Sequence, residues 1–175
     1  MGIATGLTGG IHNIQNVTGS QGNDLIVGDA NPNVLIGGTG RNVIIGGAGA
    51  DTLDASRATS DNILIGGPTD FDTNPAALDA IFAEWTRTDL GFRDRFSDFT
   101  TGANGKGVPP LNQVNGKLIL LTSSTIQADS SPDSLIGSNK IDPATGNRVH
   151  NWFFFDDDDT LVNFLSSSDH KTKVR

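Results

Sequence analysis

Apolar residues recur every nine positions in the first third of the chain. Written in nines from Gly19, the sequence reads GSQGNDLIV, GDANPNVLI, GGTGRNVII and GGAGADTLD, and an eleven-residue unit, ASRATSDNILI, follows. The eighth position of each unit, allowing for the longer last unit, is apolar and is occupied by Ile26, Leu35, Ile44, Leu53 and Leu64. Each unit ends in a strand-forming stretch that is too short to stand alone. We therefore predict short strands that stack and bury these eighth positions in a shared column.

The hydrophobic pattern becomes helical after Gly67. Asn74 followed by Pro75 is typical of an N-cap and the first residue of a helix. The apolar residues that follow at helical spacing are Leu78, Ile81, Phe82 and Trp85. They predict an amphipathic helix that ends near Arg87. A second, shorter helix is predicted by Phe92, Phe96 and Phe99.

The last part of the chain returns to the repeat pattern. Residues 117–127 (KLILLTSSTIQ) first predict a strand, a turn and a strand. The segments PDSLIG, NWFFFD and DDTLVNF then place apolar residues after polar ones, around Leu135, Phe153 and Leu161. We therefore divide the chain into β-roll repeats at residues 1–67, a helical insert with a short β hairpin at 68–128, and further coils with a C-terminal tail at 129–175.

Composition and charge exclude several classes of protein. The chain of 175 residues has 20 acidic and 12 basic residues, and its net charge of −8 disfavours binding to the phosphates of nucleic acids. It has no cysteine, so disulfides, thiolate zinc sites and cysteine nucleophiles are excluded. It also has no apolar run of the roughly 18 residues that a membrane span needs. The acidic residues are almost all aspartate, which together with glycine is typical of turns and oxygen-ligand loops.

One unit matches a known nonapeptide closely. GGAGADTLD at residues 46–54 has the pattern GGxGxDxUx at every defined position, and GSQGNDLIV departs from it only at its second residue. The stretch from Ile14 to Gly67 therefore resembles the RTX (hemolysin-type calcium-binding) family, and the chain is similar to C-terminal tails of large secreted bacterial surface proteins. The resemblance implies an all-β fold with a helical insert. Its core would be a right-handed parallel β-roll (an RTX-like solenoid) whose units alternate between two sheets.

Calcium is the cofactor that this resemblance implies, with ions between neighbouring turns on each edge. Ca²⁺ is held by about six to eight oxygens from carboxylates and carbonyls, and glycine-rich turns can direct carbonyls inward. The sixth position of each unit corresponds to the family's ligand aspartate. The predicted metal-binding residues are Gly19, Gly22, Asp24, Asn33, Gly37, Gly40, Asn42, Gly46, Gly49 and Asp51.

Alternation between sheets assigns the sixth positions to two edges. Asp24 and Asn42 share one edge, and Asn33 and Asp51 share the other, so each site is expected to hold one carboxylate where the family pattern has two. The alternative is a metal-free solenoid in which stacked asparagine side chains hydrogen-bond along the edge.

Several polar residues lie outside this pattern. Asp29 and Asp61 are candidates for a second carboxylate at irregular positions. The run at residues 156–159 is interpreted as a solvated acidic turn. The three isolated histidines, which we interpret as surface or loop residues, are His12, His150 and His170.

The same alternation gives one sheet an apolar outer face. Its outward residues are Leu25, Val27, Val43, Ile45, Ile63 and Ile65, whereas those of the other sheet are mostly polar. An apolar patch of this kind is an association site unless it is covered. We therefore predict that the first helix packs across the outside of this sheet, with no ligand between them.

No motif in the chain predicts an enzyme. GGTGRN at residues 37–42 resembles half of a dinucleotide-binding fingerprint, but a strand-like VII follows it where a helix is needed. We expect a non-enzymatic, secreted or surface-attached, calcium-binding structural module of a bacterial protein, stiffened by Ca²⁺. The alternatives are a C-terminal secretion or targeting tail of a larger hydrolase, and an adhesin-type module that binds glycan through aromatic residues such as Trp152. A cell-surface or self-association partner is a further alternative.

Overall fold

The fold consists of short parallel strands and two helices. The computed structural model describes residues 14–103 and 106–175, so the interpretation of His12 lies outside the described residues. In chain order the elements are β1 (Asn16–Thr18), β2 (Leu25–Val27), β3 (Val34–Ile36), β4 (Val43–Ile45), β5 (Thr52–Asp54), β6 (Asn62–Ile65), α1 (Pro75–Thr86), α2 (Phe92–Thr101), β7 (Gln113–Val114), β8 (Lys117–Leu118), β9 (Ser134–Ile136), β10 (Asn151–Phe155), β11 (Thr160–Val162) and β12 (His170–Lys173).

The strands alternate between two parallel sheets. Sheet A has the order β1-β3-β5-β9-β11, and sheet B has the order β12-β10-β6-β4-β2. The chain changes sheet with every repeat unit, because each unit supplies one turn and one short strand. The predicted alternation is therefore confirmed.

The register of both sheets aligns the eighth positions of the repeats. The aligned residues are Val17, Leu35 and Leu53 in sheet A, and Ile26, Ile44 and Leu64 in sheet B. They pack in one buried apolar cluster with members from both sheets. The shared apolar column is therefore confirmed, and full burial of each such side chain contributes about 1.5–3 kcal/mol.

The strands after the insert extend the same two sheets. β9 pairs with β5, with Leu135 beside Leu53, and β10 pairs with β6, with Phe153 beside Leu64. β11 then pairs with β9, and β12 with β10. The predicted return of the repeat pattern after residue 128 is confirmed, while the division of the chain into three domains stays a prediction.

Both predicted helices are present. α1 begins after Asn74, whose side chain accepts a hydrogen bond from the backbone N of Ala77, and Pro75 occupies its first turn. α2 is capped by Gly102, whose φ of 74° lies in the left-handed region that glycine adopts readily. No helix in the described residues is long and apolar enough to cross a membrane.

The outer face of sheet B is buried. One apolar cluster joins this face to both helices, and its members include Val43, Ile45, Ile63 and Ile65 of the sheet, Leu78, Ile81 and Trp85 of α1, and Phe99 of α2. Val34, an outward residue of sheet A, is by contrast 40% exposed. The apolar stripe of α1 and the apolar outer face of sheet B are thus buried in the same cluster.

The predicted strand, turn and strand over residues 117–127 are observed only in part. β8 ends at Leu118 and forms a two-stranded hairpin with β7, a turn follows at residues 123–125, and Ile126 forms an isolated β-bridge. The apolar residues between the strand and the turn, Ile119 and Leu121, pack in the cluster that contains the helices, and Leu121 N donates to the carbonyl of Phe99. Burial against α2 therefore replaces strand pairing at residues 119–121.

Candidate metal-binding edges

Two ladders of polar side chains run along the sides of the stacked strands. Each ladder residue lies two positions before a residue that is aligned in the sheet. The asparagine edge consists of Asp24, Asn42, Asn62, Asn151 and Asp169. The aspartate edge consists of Asn33, Asp51, Asp133 and Asp159.

The asparagine edge is satisfied by its own hydrogen bonds. Asn42 Oδ1 accepts from Asp24 N at 3.0 Å, and Asn62 Oδ1 accepts from Asn42 N at 3.3 Å. Asn62 Nδ2 then donates to Asn151 Oδ1 at 3.2 Å, and Asn151 Nδ2 donates to Asp169 Oδ1 at 3.1 Å. An amide is both donor and acceptor, so the stack continues from coil to coil. In the described part of the chain, no side-chain atom of this edge is buried without a partner.

Two carboxylates of the aspartate edge, those of Asp51 and Asp133, each use only one oxygen. Asp51 Oδ1 accepts from Asn33 N at 2.8 Å, Asp133 Oδ1 accepts from Asp51 N at 2.7 Å, and Asp159 Oδ1 accepts from Asp133 N at 2.9 Å. Asp51 Oδ2 and Asp133 Oδ2 are buried and have no hydrogen-bond partner. Because an unpaired buried carboxylate oxygen is unfavourable, these two atoms are candidate ligands for a cation.

Turn glycines allow these unpartnered oxygens to pack closely against the backbone. A Cβ added to Gly46 would lie 2.5 Å from both Asp51 Oδ2 and the carbonyl oxygen of Gly66. A Cβ added to Gly66 would overlap Asp133 Oδ2 and lie 3.1 Å from Asp159 Oδ2. Carboxylate and carbonyl oxygens, which are the ligands that Ca²⁺ prefers, therefore lie close together beside each glycine.

The crowded carboxylates have raised pKa values. Burial raises the pKa of Asp133 to about 8 and the pKa of Asp51 to about 6, against the opposing effect of their backbone hydrogen bonds. Burial also raises the pKa of Asp159. The negative charge of Asp129 contributes to all three increases. A bound cation is favourable in such a setting, because it neutralises charges that water no longer stabilises.

A cation at this edge would need backbone as well as side-chain ligands. In the described residues, no three histidine, cysteine, aspartate or glutamate side chains form a group ready to hold a metal ion. Asp51 and Asp133 supply two stacked carboxylates, and Gly66 supplies a carbonyl beside Asp51. This all-oxygen set fits Ca²⁺ and does not suit metals that prefer sulfur or imidazole ligands.

The predicted metal-binding residues are divided between the two edges. Turns of the asparagine edge contain Gly19, Gly22, Asp24, Gly37, Gly40 and Asn42, and turns of the aspartate edge contain Asn33, Gly46, Gly49 and Asp51. Asp24 Oδ2 already accepts a hydrogen bond from Ser20 N at 2.8 Å. Only the aspartate edge borders unpartnered carboxylate oxygens, so the assignment of all these residues to calcium stays a prediction.

Sequence reasoning missed Asp133 and Asp159. The pairing of Asn33 with Asp51 still supplies one carboxylate, but Asp133 from beyond the insert stacks on Asp51 and adds a second, which sequence reasoning did not include. The run at residues 156–159 is not simply a solvated turn, since Asp159 joins the aspartate edge and Asp156 is buried. A signal was available, because both missed residues lie two positions before apolar residues that the pattern assigned to the interior.

Asp61 is an ion-pair residue away from both ladders. Its carboxylate accepts from Arg95 Nη2 at 2.5 Å and lies 2.9 Å from His150 Nδ1, in a cleft of about 530 Å³. Burial alone would raise the pKa of Asp61, but the hydrogen bonds from His150 and the charge of Arg95 lower it. The His150 ring also stacks on Phe92, with centroids 4.5 Å apart. His150 lies in a loop, as predicted, while the carboxylate of Asp61 is engaged by Arg95 and His150, so its candidacy as a metal ligand stays a prediction without support from this geometry.

The large aromatic residues of the second part are buried. Trp85 and Trp152 are both 0% exposed, and the ring of Trp152 contacts Phe96 and Phe154. A ring must be exposed to stack on a sugar, so Trp152 does not form a glycan-binding platform.

Comparison with known proteins identifies the repeat segment. No curated protein and no solved structure matches the chain. The family model of the RTX calcium-binding nonapeptide repeat matches residues 27–57, with four copies of the repeat. This segment contains Asp51 and the adjacent turns of the aspartate edge. Residues 27–57 of this chain are thus RTX calcium-binding nonapeptide repeats.

Proposed function

We propose that this chain is a non-enzymatic, extracellular structural module that is ordered by Ca²⁺ bound at the aspartate edge. The observation that carries the proposal is the buried, unpartnered Oδ2 of Asp51, which lies within the matched repeat segment. Asp51 and Asp133 would hold the ion together with turn carbonyls such as that of Gly66. The ion supplies positive charge where the carboxylates are crowded and desolvated.

The proposed architecture is a right-handed parallel β-roll with α1 across the outside of sheet B. It is supported by the inner cluster with members in both sheets and by the outer cluster that contains α1. The C-terminal end of α1 is also tied to the repeats, because Trp85 Nε1 donates to the carbonyl of Asp61 at 3.2 Å and Arg41 Nη1 donates to the carbonyl of Arg87 at 3.1 Å. The role of the helix is to cover a face that would otherwise associate.

Calcium would stabilise the folded chain by mass action. Asp51 and Asp133 come together only when β5 pairs with β9, so the unfolded chain has no preformed site. Calcium at a hundred times its dissociation constant would add about 2.7 kcal/mol to the free energy of unfolding. For a domain of this size, that corresponds to an increase of about 5–11 °C in Tm.

Thermal melting followed by circular dichroism tests this proposal. The full chain is melted in calcium and in chelator, beside Asp51→Asn and the control Asp79→Asn, which changes an exposed aspartate on α1. We expect calcium to raise the Tm of the wild type and of Asp79→Asn, and to raise that of Asp51→Asn much less. Equal melting temperatures of the wild type in calcium and in chelator would refute calcium binding.

The extracellular location is tested by affinity. RTX repeats are typical of secreted bacterial proteins. Extracellular calcium modules bind with Kd values of about 10⁻⁴–10⁻³ M, whereas cytosolic buffers bind near about 10⁻⁸ M. We therefore expect a Kd in the weaker range by isothermal titration, and a Kd near the tighter value would contradict this part of the proposal. The buried ring of Trp152 gives no support to an adhesin function.

A further inference from the structure

The cleft beside Asp61 has a volume of about 530 Å³, and none of the residues that line it belongs to either ladder. We propose that this cleft binds a small polar ligand with one carboxylate, which is held by the guanidinium groups of Arg41 and Arg148. The volume lies within the range of about 300–1,000 Å³ that is typical of small-molecule sites. The inference does not depend on the proposed calcium site, because the two share no residue.

The cleft is built where the repeats meet the insert. Four of its residues directly precede residues of the asparagine edge and therefore lie on successive coils: Asn23, Arg41, Asp61 and His150. The segment between α1 and α2 and the loop at residues 142–148 supply the rest of the lining. Both of these segments lie outside the residues that match the repeat family, so the cleft is a feature of this chain rather than of the repeat.

The first argument is positive charge that is not paired with a carboxylate. Arg41 and Arg148 both line the cleft, and neither belongs to an ion pair among the described residues. Arg41 Nη1 donates only to the carbonyls of Thr86 and Arg87, at 3.5 and 3.1 Å, and Arg41 Nε is buried without a partner. Arg148 is exposed, and its Nη1 donates to the carbonyl of Asn139 at 3.0 Å. Because a guanidinium has five N–H donors, both side chains keep donors for an anion.

The second argument is that the carboxylates of the cleft already have partners. Asp61 is paired with Arg95, and Asp89 Oδ2 lies 2.6 Å from Arg87 Nη2. Asp142 Oδ1 accepts from a backbone N of its own loop at 2.8 Å. The binding capacity that remains in the cleft is therefore that of the arginine donors, which suits an anion.

Two further features of the cleft favour negative charge. Arg95 is 1% exposed and its Nε has no partner, and burial followed by the charge of Arg41 lowers the pKa of Arg95 to about 10. An anion in the cleft would offset this repulsion between the two guanidinium groups. Gly91, the N-cap of α2, also lines the cleft and provides no side-chain cap, so the first-turn amides of α2 add partial positive charge.

The chemistry of the lining points to a carboxylate ligand. Arginine binds a carboxylate through two parallel N–H donors. A phosphate group, with a charge of about −1.5 to −2 at neutral pH, is less suited to a cleft that has three carboxylates of its own. The lining also includes hydroxyl and amide side chains, such as those of Ser60, Thr88 and Asn147. The ligand is therefore expected to have hydroxyl or amide groups beside its carboxylate.

Two-dimensional NMR of the isotope-labelled full chain, at a constant free calcium concentration, tests the inference. Two carboxylates are titrated, gluconate and N-acetylglycylglycine, each beside its neutral counterpart, sorbitol and N-acetylglycylglycinamide. We expect at least one of the carboxylates to shift the signals of the Arg41 side chain and of the Gly91 amide in a saturable manner. The neutral counterparts should leave these signals unchanged. The carboxylate that binds more tightly identifies the ligand as a sugar acid or as a peptide carboxylate.

Three variants locate the binding. Arg41→Gln and Arg148→Gln should each weaken the affinity for the carboxylate by about tenfold or more, because each removes charged hydrogen-bond donors. Arg57→Gln is the matched control, since it changes an exposed arginine outside the cleft, and it should leave the affinity unchanged. Arg148 is exposed, so Arg148→Gln is expected to fold even if the loss of the Arg41 hydrogen bonds destabilises Arg41→Gln.

Three results would overturn the inference. The first is the absence of saturable shifts with both carboxylates. The second is a neutral counterpart that binds as tightly as its carboxylate, since the arginine donors would then not select an anion. The third is an affinity of Arg148→Gln equal to that of Arg57→Gln.

Discussion

Replacing Asp61 by asparagine removes the carboxylate that is paired with the buried guanidinium of Arg95. Arg95 is 1% exposed, and it donates to Asp61 Oδ2 and to the carbonyl of Leu90. The other oxygen of Asp61 accepts from the backbone N of His150 at 3.1 Å. The ion pair therefore ties α2 to the segments that precede β6 and β10, and Asp61→Asn leaves a buried positive charge without its partner.

The expected loss of stability is large and depends on pH. Removing one partner of a buried ion pair costs about 3–5 kcal/mol, which for a domain of this size lowers Tm by about 6–20 °C. Burial tends to raise the pKa of Asp61, but the His150 hydrogen bonds and the Arg95 charge hold this pKa below its usual value of 3.8. The contribution of the Asp61 carboxylate to the free energy of unfolding is therefore fully present above about pH 4, and it is lost as the pH falls through the lower pKa of the folded state.

Urea denaturation of the wild type and Asp61→Asn at pH 7 and pH 3, at constant calcium concentration, measures this difference. Asp79→Asn is the control, because Asp79 is an exposed aspartate on α1, and we expect no measurable change from it. The reasoning is refuted if Asp61→Asn lies within about 0.5 kcal/mol of the wild type at pH 7. It is also refuted if the difference is undiminished at pH 3.

Two further experiments test other parts of the fold. Ile45→Ala, on the buried outer face of sheet B, should lower the free energy of unfolding in urea by about 2–5 kcal/mol. Val34→Ala, on the exposed face of sheet A, should change it by less than about 0.5 kcal/mol. Equal effects of the two substitutions would contradict burial of the outer face of sheet B. Asn62→Ala leaves the backbone N of Asn42 without its acceptor and should cost about 1–3 kcal/mol equally in calcium and in chelator. A calcium-dependent cost would show that the asparagine edge also binds metal.

The interior of this fold could be predicted because it depends on local periodicity. The nine-residue period fixes which residues point inward, and residues such as Leu35 and Ile44 are aligned as the pattern predicted. The helix that begins after Asn74 was predictable for the same reason, since a cap and a helical apolar stripe are both local signals. Neither feature requires knowledge of which distant segment becomes a neighbour.

The aspartate edge could not be predicted in the same way, because its neighbours come from opposite sides of the insert. Asp51 and Asp133 are stacked in space, yet the repeat period that would align them is interrupted between residues 67 and 132. The apolar run near Ile119 misled for a related reason. Its apolar residues are typical of a strand, but in the folded chain they pack in the same cluster as α2, and no local pattern indicates that contact.

The choice between asparagine and aspartate at the ladder position of the repeat determines which interactions join neighbouring coils along each edge. An asparagine amide donates and accepts, so Asn42, Asn62 and Asn151 form a continuous stack that needs no ion. An ionised aspartate carboxylate only accepts, so stacking Asp51 on Asp133 leaves one oxygen of each of these two carboxylates without a partner. Because the hydrogen bonds of the asparagine edge already satisfy its buried side chains, we expect loss of calcium to loosen the aspartate edge first. The module would then keep most of its strands in chelator, and calcium would act as a stiffener of one side rather than as a condition for folding.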